Sequence, residues 1–169
     1  MNKFVKAILA GTGALLCLAS AWAQSAEVDS RLSVQRVAAQ ADGRESLGPA
    51  TSVKPGDVLE YRSSYHNVGK APARGLTATL PIPAGTEFLP GSTRPVAATA
   101  STDGMNFAPL PLKRTIKQAD GRVVEQLVPI AEYRALRWAP VDLPPDQTLQ
   151  FVARVRVVDD RAPASAPKK

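Results

Sequence analysis

The sequence predicts an all-β chain: an antiparallel β-sandwich of about seven to nine short strands behind a signal-peptide helix. Three observations carry that prediction. Apolar and polar residues alternate at period two in two long segments, 57–67 and 148–158. Fifteen prolines and eleven glycines cut the chain into short pieces, as in Lys54-Pro55-Gly56, Leu80-Pro81-Ile82-Pro83, Leu89-Pro90-Gly91 and Leu143-Pro144-Pro145. Proline breaks helices and central strands but suits turns and edges, so long helices do not fit between these breaks. Asp-Gly pairs at Asp42-Gly43, Asp103-Gly104 and Asp120-Gly121 supply turns between strands.

The N-terminal helix comes first. Lys3 and Lys6, with no acid nearby, precede an apolar stretch over 7–20 that ends in Ala21-Trp22-Ala23. Charged, apolar and then small residues are the order of a secretory signal with an A-x-A cleavage site. The stretch is shorter than the about 20 apolar residues a spanning helix needs, and Gly11 and Gly13 weaken it as an anchor. Residues 1–23 therefore read as a signal peptide. The expected destination is the periplasm, with the outer surface or the medium as alternatives. No stable transmembrane anchor is expected after processing. Cys17 is the only cysteine and lies inside the signal, preceded by Leu16 rather than the small residue that lipidation needs. The processed chain then has no disulfide, no thiolate and no cysteine-bound metal.

Residues 24–30 read as a flexible leader, and 31–158 as one domain large enough for a self-sufficient core. The first strand is expected over 31–37, with Leu32, Val34 and Val37 as its apolar residues. The clearest strand follows at 57–67, with Leu59, Tyr61, Ser63 and Tyr65 inward and Glu60, Arg62, Ser64 and His66 outward. Leu76, Ala78 and Leu80 mark the next, ended or bent by Pro81 and Pro83. Residues 86–89 are short and extended, and 94–100 is another strand. Met105 to Phe107 is its return after Asp103-Gly104. Thr115-Ile116 and Val123-Val124 flank Asp120-Gly121 as a second hairpin. Tyr133 to Trp138 places Leu136 and Trp138 on one face. The closing strand, 148–158, turns Leu149, Phe151, Ala153, Val155 and Val157 inward. Residues 159–169 are small, prolyl and basic, the composition of a disordered tail.

The segment Gly56-Asp57, a strand with Tyr61, then Asn67-Val68-Gly69, resembles the "domain of unknown function 11" repeat family of bacterial exported and surface proteins. The apolar strand 76–80 and the corner Ile82-Pro83-Ala84-Gly85 match its continuation. Two features depart from it: Leu80 stands where the family often has aspartate, and the middle, 94–128, is enlarged. The resemblance implies an immunoglobulin-like sandwich used as a spacer or adhesive module, with no known catalysis. It marks Gly56, Asp57, Tyr61, Asn67, Gly69, Pro83 and Gly85 as structural positions. In physical terms, Asn67 and Gly69 tolerate left-handed backbone, and the asparagine side chain can cap local backbone groups. Tyr61 and Tyr65 supply large inward rings.

Little in the sequence carries chemistry. His66 is the only histidine, sits on an outward face, and has no Gly-x-Ser-x-Gly serine to serve. One histidine without cysteine cannot make the usual zinc set, and Met105 alone does not make a copper carrier. The Asp-Gly pairs are too isolated for calcium. No cofactor or metal is expected. The formal charge of +6 includes the two signal-peptide lysines, and the rest is spread along the chain rather than gathered on a nucleic-acid-binding face. Lys113, Arg114, Lys117 and Arg122 do cluster around the Asp120 hairpin. They read either as a cationic knob for an anionic partner or, in the favoured reading, as a solvated hairpin.

The expected function is that of a non-enzymatic exported module acting on an envelope or secreted protein, not on nucleic acid. The alternatives are an assembly factor that adds a strand at a sheet edge and a hydrolase with a loop-built site in 94–128. Sheet edges also invite self-association, which the prolines oppose.

Overall fold

The computed structural model describes residues 26–159. The signal segment, residues 24–25 of the leader and the tail from 160 lie outside the described residues. Thirteen strands form among the described residues, and all their pairings are antiparallel. In chain order they are β1 (Val28–Ala39), β2 (Glu45–Pro49), β3 (Val58–Asn67), β4 (Ala73–Leu76) and β5 (Thr79–Pro81). Next come β6 (Thr86–Phe88), β7 (Ala98–Ser101), β8 (Ala108–Pro109), β9 (Lys113–Lys117) and β10 (Val123–Leu127). A 3-10 turn at Ile130–Glu132 precedes β11 (Ala135–Trp138), β12 (Val141–Leu143) and β13 (Thr148–Val157).

These strands build a five-stranded sheet, ordered β2-β1-β3-β13-β6, and a four-stranded sheet, ordered β5-β11-β7-β8. Two small pairs, β4-β12 and β9-β10, complete the fold. The five-stranded sheet rests on the two segments with the clearest alternation, since β3 and β13 pair along nine residues each. Their alternate side chains Leu59, Phe151, Ala153 and Val155 enter one core, together with Leu80, Ala100, Leu136 and Trp138 of the other sheet. Trp138 tilts against Phe151 at 5.2 Å between centroids, and Phe151 meets the edge of Tyr65 at 5.9 Å. Ring pairs at these separations add to the apolar burial that stabilises the fold. The Trp138 indole donates to the Pro95 carbonyl at 2.9 Å, so its one polar atom is satisfied inside.

Several expectations shift. β1 starts at Val28, paired with Asn67, so residues 28–30 belong to the sheet and not to a leader. A second strand, β2, follows the Asp42-Gly43 turn where none was expected. The segment 76–80 does not form one strand: β4 pairs with β12 and β5 with β11, in different sheets. Residues 94–97 leave the expected strand. Arg94 instead bridges to Val152 on β13, and Pro95 has no N–H to continue a ladder. The return after Asp103-Gly104 is Ala108–Pro109 rather than 105–107. Strands outnumber the expected seven to nine because these breaks divide the chain further.

The corner residues do structural work of an identifiable kind. Gly85 takes φ 74° in a turn closed by the Thr86 N–H to the Pro83 carbonyl. Gly56 takes φ 93°, and the Asp57 carboxylate accepts from the Lys54 N–H at 3.1 Å. Asn67 and Gly69 are not among the left-handed residues, contrary to the sequence reading. Asn67 is fully buried and acts through its side chain. Its Nδ2 donates to the carbonyls of Ala71 at 2.9 Å and Leu143 at 2.8 Å, and its Oδ1 accepts from the Gly69 N–H at 3.0 Å. One side chain thus ties the end of β3 to the loop after it and to β12. Tyr61 is half-buried at the margin of the core instead of filling its centre.

Candidate functional site

Three places in the fold gather polar or apolar groups that could meet another molecule. The first is the β9–β10 hairpin, here called the arm. Its base is held inside: Leu112 and Val128 are buried, Val128 N–H donates to the Leu112 carbonyl, and Leu112 N–H donates to the Tyr133 hydroxyl at 2.8 Å. Beyond that base both strands are solvated on both faces, with Ile116 and Val124 alone half-buried. An isolated two-stranded hairpin is marginal in water, so the buried base and the cross-strand pairs hold the arm in shape.

The arm brings Lys113, Arg114, Lys117 and Arg122 together as the sequence suggested, but most of that charge is neutralised. Lys113 pairs with Glu125 at 3.0 Å, Arg114 with Glu132 at 2.9 Å and Arg122 with Asp120 at 2.7 Å. Lys117 is the member of the four with no ion pair among the described residues. Exposed pairs of this kind contribute little stability, about 0–1 kcal/mol each. Their acids, scattered at 120, 125 and 132, turn a cationic knob into a mixed surface. Two large apolar residues stand on the same face of the arm as Lys117: Val123, 65% exposed, and Leu127, 59% exposed. Sequence reading did not single them out, because alternation implies that one face of a strand is covered, and here neither is.

The second place is a cleft of about 550 Å³ on the outer face of the five-stranded sheet, walled by Glu45, Glu60, Arg62, Arg94, Arg154 and the 89–92 loop. Glu60 was expected to face solvent; it is buried instead. Arg62 Nη2 donates to one of its oxygens at 2.8 Å and Arg154 Nε to the other at 3.0 Å. Arg154 also reaches Glu45 at 2.8 Å. Burial alone raises the Glu60 pKa, but hydrogen bonds from Arg62 and Arg154 outweigh it, and the net shift is downward. On Arg154, burial works against the charge and the two glutamates restore it, for a net upward shift. The carboxylate is therefore held ionised, the opposite of what a proton-donating acid in a two-carboxylate glycosidase requires.

The third place is a shallow apolar trough lined by Val96, Leu110, Trp138 and Pro140 beside β7 and β8. Arg137 closes one side, stacked over the Phe107 ring at 3.7 Å.

The remaining residues weighed from sequence have local roles. The Asp103 carboxylate accepts from the Asn106 and Met105 N–H groups, the Asn106 amide and the Ser101 hydroxyl. Those bonds, the Asn106 backbone first, hold it far below the usual carboxylate range. Asp120 is lowered by the Arg122 backbone and side chain. Asp142 accepts from the Gly75 N–H at 2.8 Å. His66 is half-buried and lies 3.5 Å from Asp146. No group of three or more metal-ligating side chains occurs among the described residues. No helix among them is long and apolar enough to cross a membrane. Compared with protein-family models, curated proteins and solved structures, the chain matches none.

Proposed function

We propose that this chain is an exported, non-enzymatic immunoglobulin-like module of the domain-of-unknown-function-11 kind that binds another envelope or secreted protein through its arm. The observation that carries the reading is the arm itself: an ordered hairpin, anchored at its base, that leaves Val123, Leu127 and Lys117 on one solvated face. Exposed aliphatic side chains beside a cation, with compensated charges around them, match the apolar centre and polar rim of a protein contact better than an anion-binding patch. Export to the periplasm rests on the signal-like pattern of residues 1–23. The structural duties of Gly56, Asp57, Asn67, Pro83 and Gly85 support the family resemblance. Glu60, held ionised between Arg62 and Arg154, is not poised as a general acid, and the aspartates of 94–128 are committed to their own turns, which favours the non-enzymatic reading.

The test is a photo-cross-linking side chain at position 123 in the exporting cell, with position 150 on β13 as control. One dominant protein adduct is expected from 123 and none from 150, and Leu127→Ser should abolish it. Equal labelling from both positions, or an adduct indifferent to Leu127→Ser, would remove the arm as the binding surface.

A further inference from the structure

We propose that two copies of this chain pair edge to edge through the first half of β1, antiparallel and centred on Ser30, to form one continuous ten-stranded sheet. β2 covers only residues 35–39 of β1, so residues 28–34 are hydrogen-bonded to β3 on one side and, among the described residues, pair with no strand on the other. The Gln40 N–H donates to Arg44 on the β2 side, while the Glu27 carbonyl accepts from Val68 on the β3 side. The register is unbroken between them. Alternation therefore aims the backbone N–H and C=O of Val28, Ser30, Leu32 and Val34 out of the open edge.

The other edges of the two larger sheets are blunted. β2 ends in Pro49, β5 in Pro81 and β8 in Pro109, and β6 is three residues long. Proline and shortness are the usual protections against edge pairing. The open half of β1 has neither. It also exposes Leu32 to 54% on the face that further along carries Val34 into the core.

The side chains identify a second copy as the occupant and select the register. In a two-fold antiparallel pair, an even-numbered edge group must meet an even-numbered one. Centred on Ser30, the pairing sets Val28 against Leu32 twice and Ser30 against itself, all as hydrogen-bonded pairs. It sets Asp29 against Arg31 twice at the closer, non-hydrogen-bonded positions, where cross-strand charges interact best. Centred one residue later, Arg31 would face itself. Asp29 and Arg31 are both exposed and make no ion pair within the described chain. The interface is isologous and closes as a dimer, leaving β6 as the outer edge of each end.

The test is sedimentation velocity of the purified protein over a concentration series. The wild type should form a dimer below about 1 mM, the weak end of measurable association. Asp29→Arg and Arg31→Asp each set like charges opposite one another twice, and each should weaken the dimer at least about tenfold. Mixing the two variants restores both opposite-charge contacts and should recover association, as should the double swap within one chain. Both sites are exposed, and circular dichroism shows whether each variant keeps its fold. A wild type monomeric throughout the series would overturn the proposal. So would single variants that dimerise as well as wild type, or a mixture that stays monomeric while each variant is folded. None of these outcomes bears on the arm, whose adduct is read at position 123.

Discussion

The body and the arm are made of the same material, short antiparallel strands joined by Asp-Gly turns, yet they hold their shape by different means. In the body the principal strands have an inner face, and burial of Phe88, Leu136, Trp138 and Phe151 supplies the driving force. In the arm neither face is covered. Order there comes from the buried hinge residues Leu112 and Val128 and from the β9–β10 backbone pairing. The difference teaches that the driving force for folding lies in the body, while the arm adds surface rather than core.

That contrast can be broken most severely from the body. Trp138→Ala removes the ring that packs against Phe151 and leaves the Pro95 carbonyl without its donor, and should cost about 3–5 kcal/mol in urea unfolding. A cost under about 1 kcal/mol would mean the two sheets do not depend on that contact. Asn67→Ala should follow at about 3 kcal/mol, since it removes the buried amide donor of the Ala71 and Leu143 carbonyls. Asn67→Asp should not rescue it, because a carboxylate cannot donate to either carbonyl.

A smaller effect tests the charge cleft, which lies on the body but resembles the arm in being polar. The folded pKa of Glu60 is depressed, so its contribution is fully present above the unfolded value of about 4.3 and is lost as pH falls through the lower folded value. Asp103 and Asp120 shift the same way and steepen the same acid limb. The urea midpoint should therefore fall on acidification below about pH 4, and Glu60→Gln should flatten part of that slope. An unchanged slope in Glu60→Gln would assign the acid sensitivity to the turn aspartates. The smallest effect is expected from the arm: replacing residues 113–127 by a short Gly-Ser linker should change the stability of the body by no more than about 0.5 kcal/mol. A larger loss would show that the arm is part of the body after all.

The parts legible in the sequence are those whose cause is local. β3 and β13 were readable because a period of two needs only neighbouring residues to be seen, and so was the arm, whose turn is written in Asp120-Gly121. The reading failed between 94 and 112. There Arg94 pairs with Val152 and the return strand is two residues long, so no alternating pattern is present to be read. The four cations of the arm were visible as a cluster, but Glu132 reaches Arg114 from outside the hairpin and changes what the cluster is.

By itself the sequence determined the all-β class, the two long strands of the principal sheet, the turn positions and the fifteen prolines that keep strands short, because each follows from the backbone preferences of adjacent residues. Only the tertiary structure decided that Glu60 is buried, since its partner Arg154 is 94 residues away and meets it only when β13 docks beside β3. It alone decided that Asn67 clamps a corner rather than bending a turn, and that the first half of β1 is an open edge. Which side of a strand is covered depends on where its neighbours end, and β2 ends at Pro49, opposite Gln35.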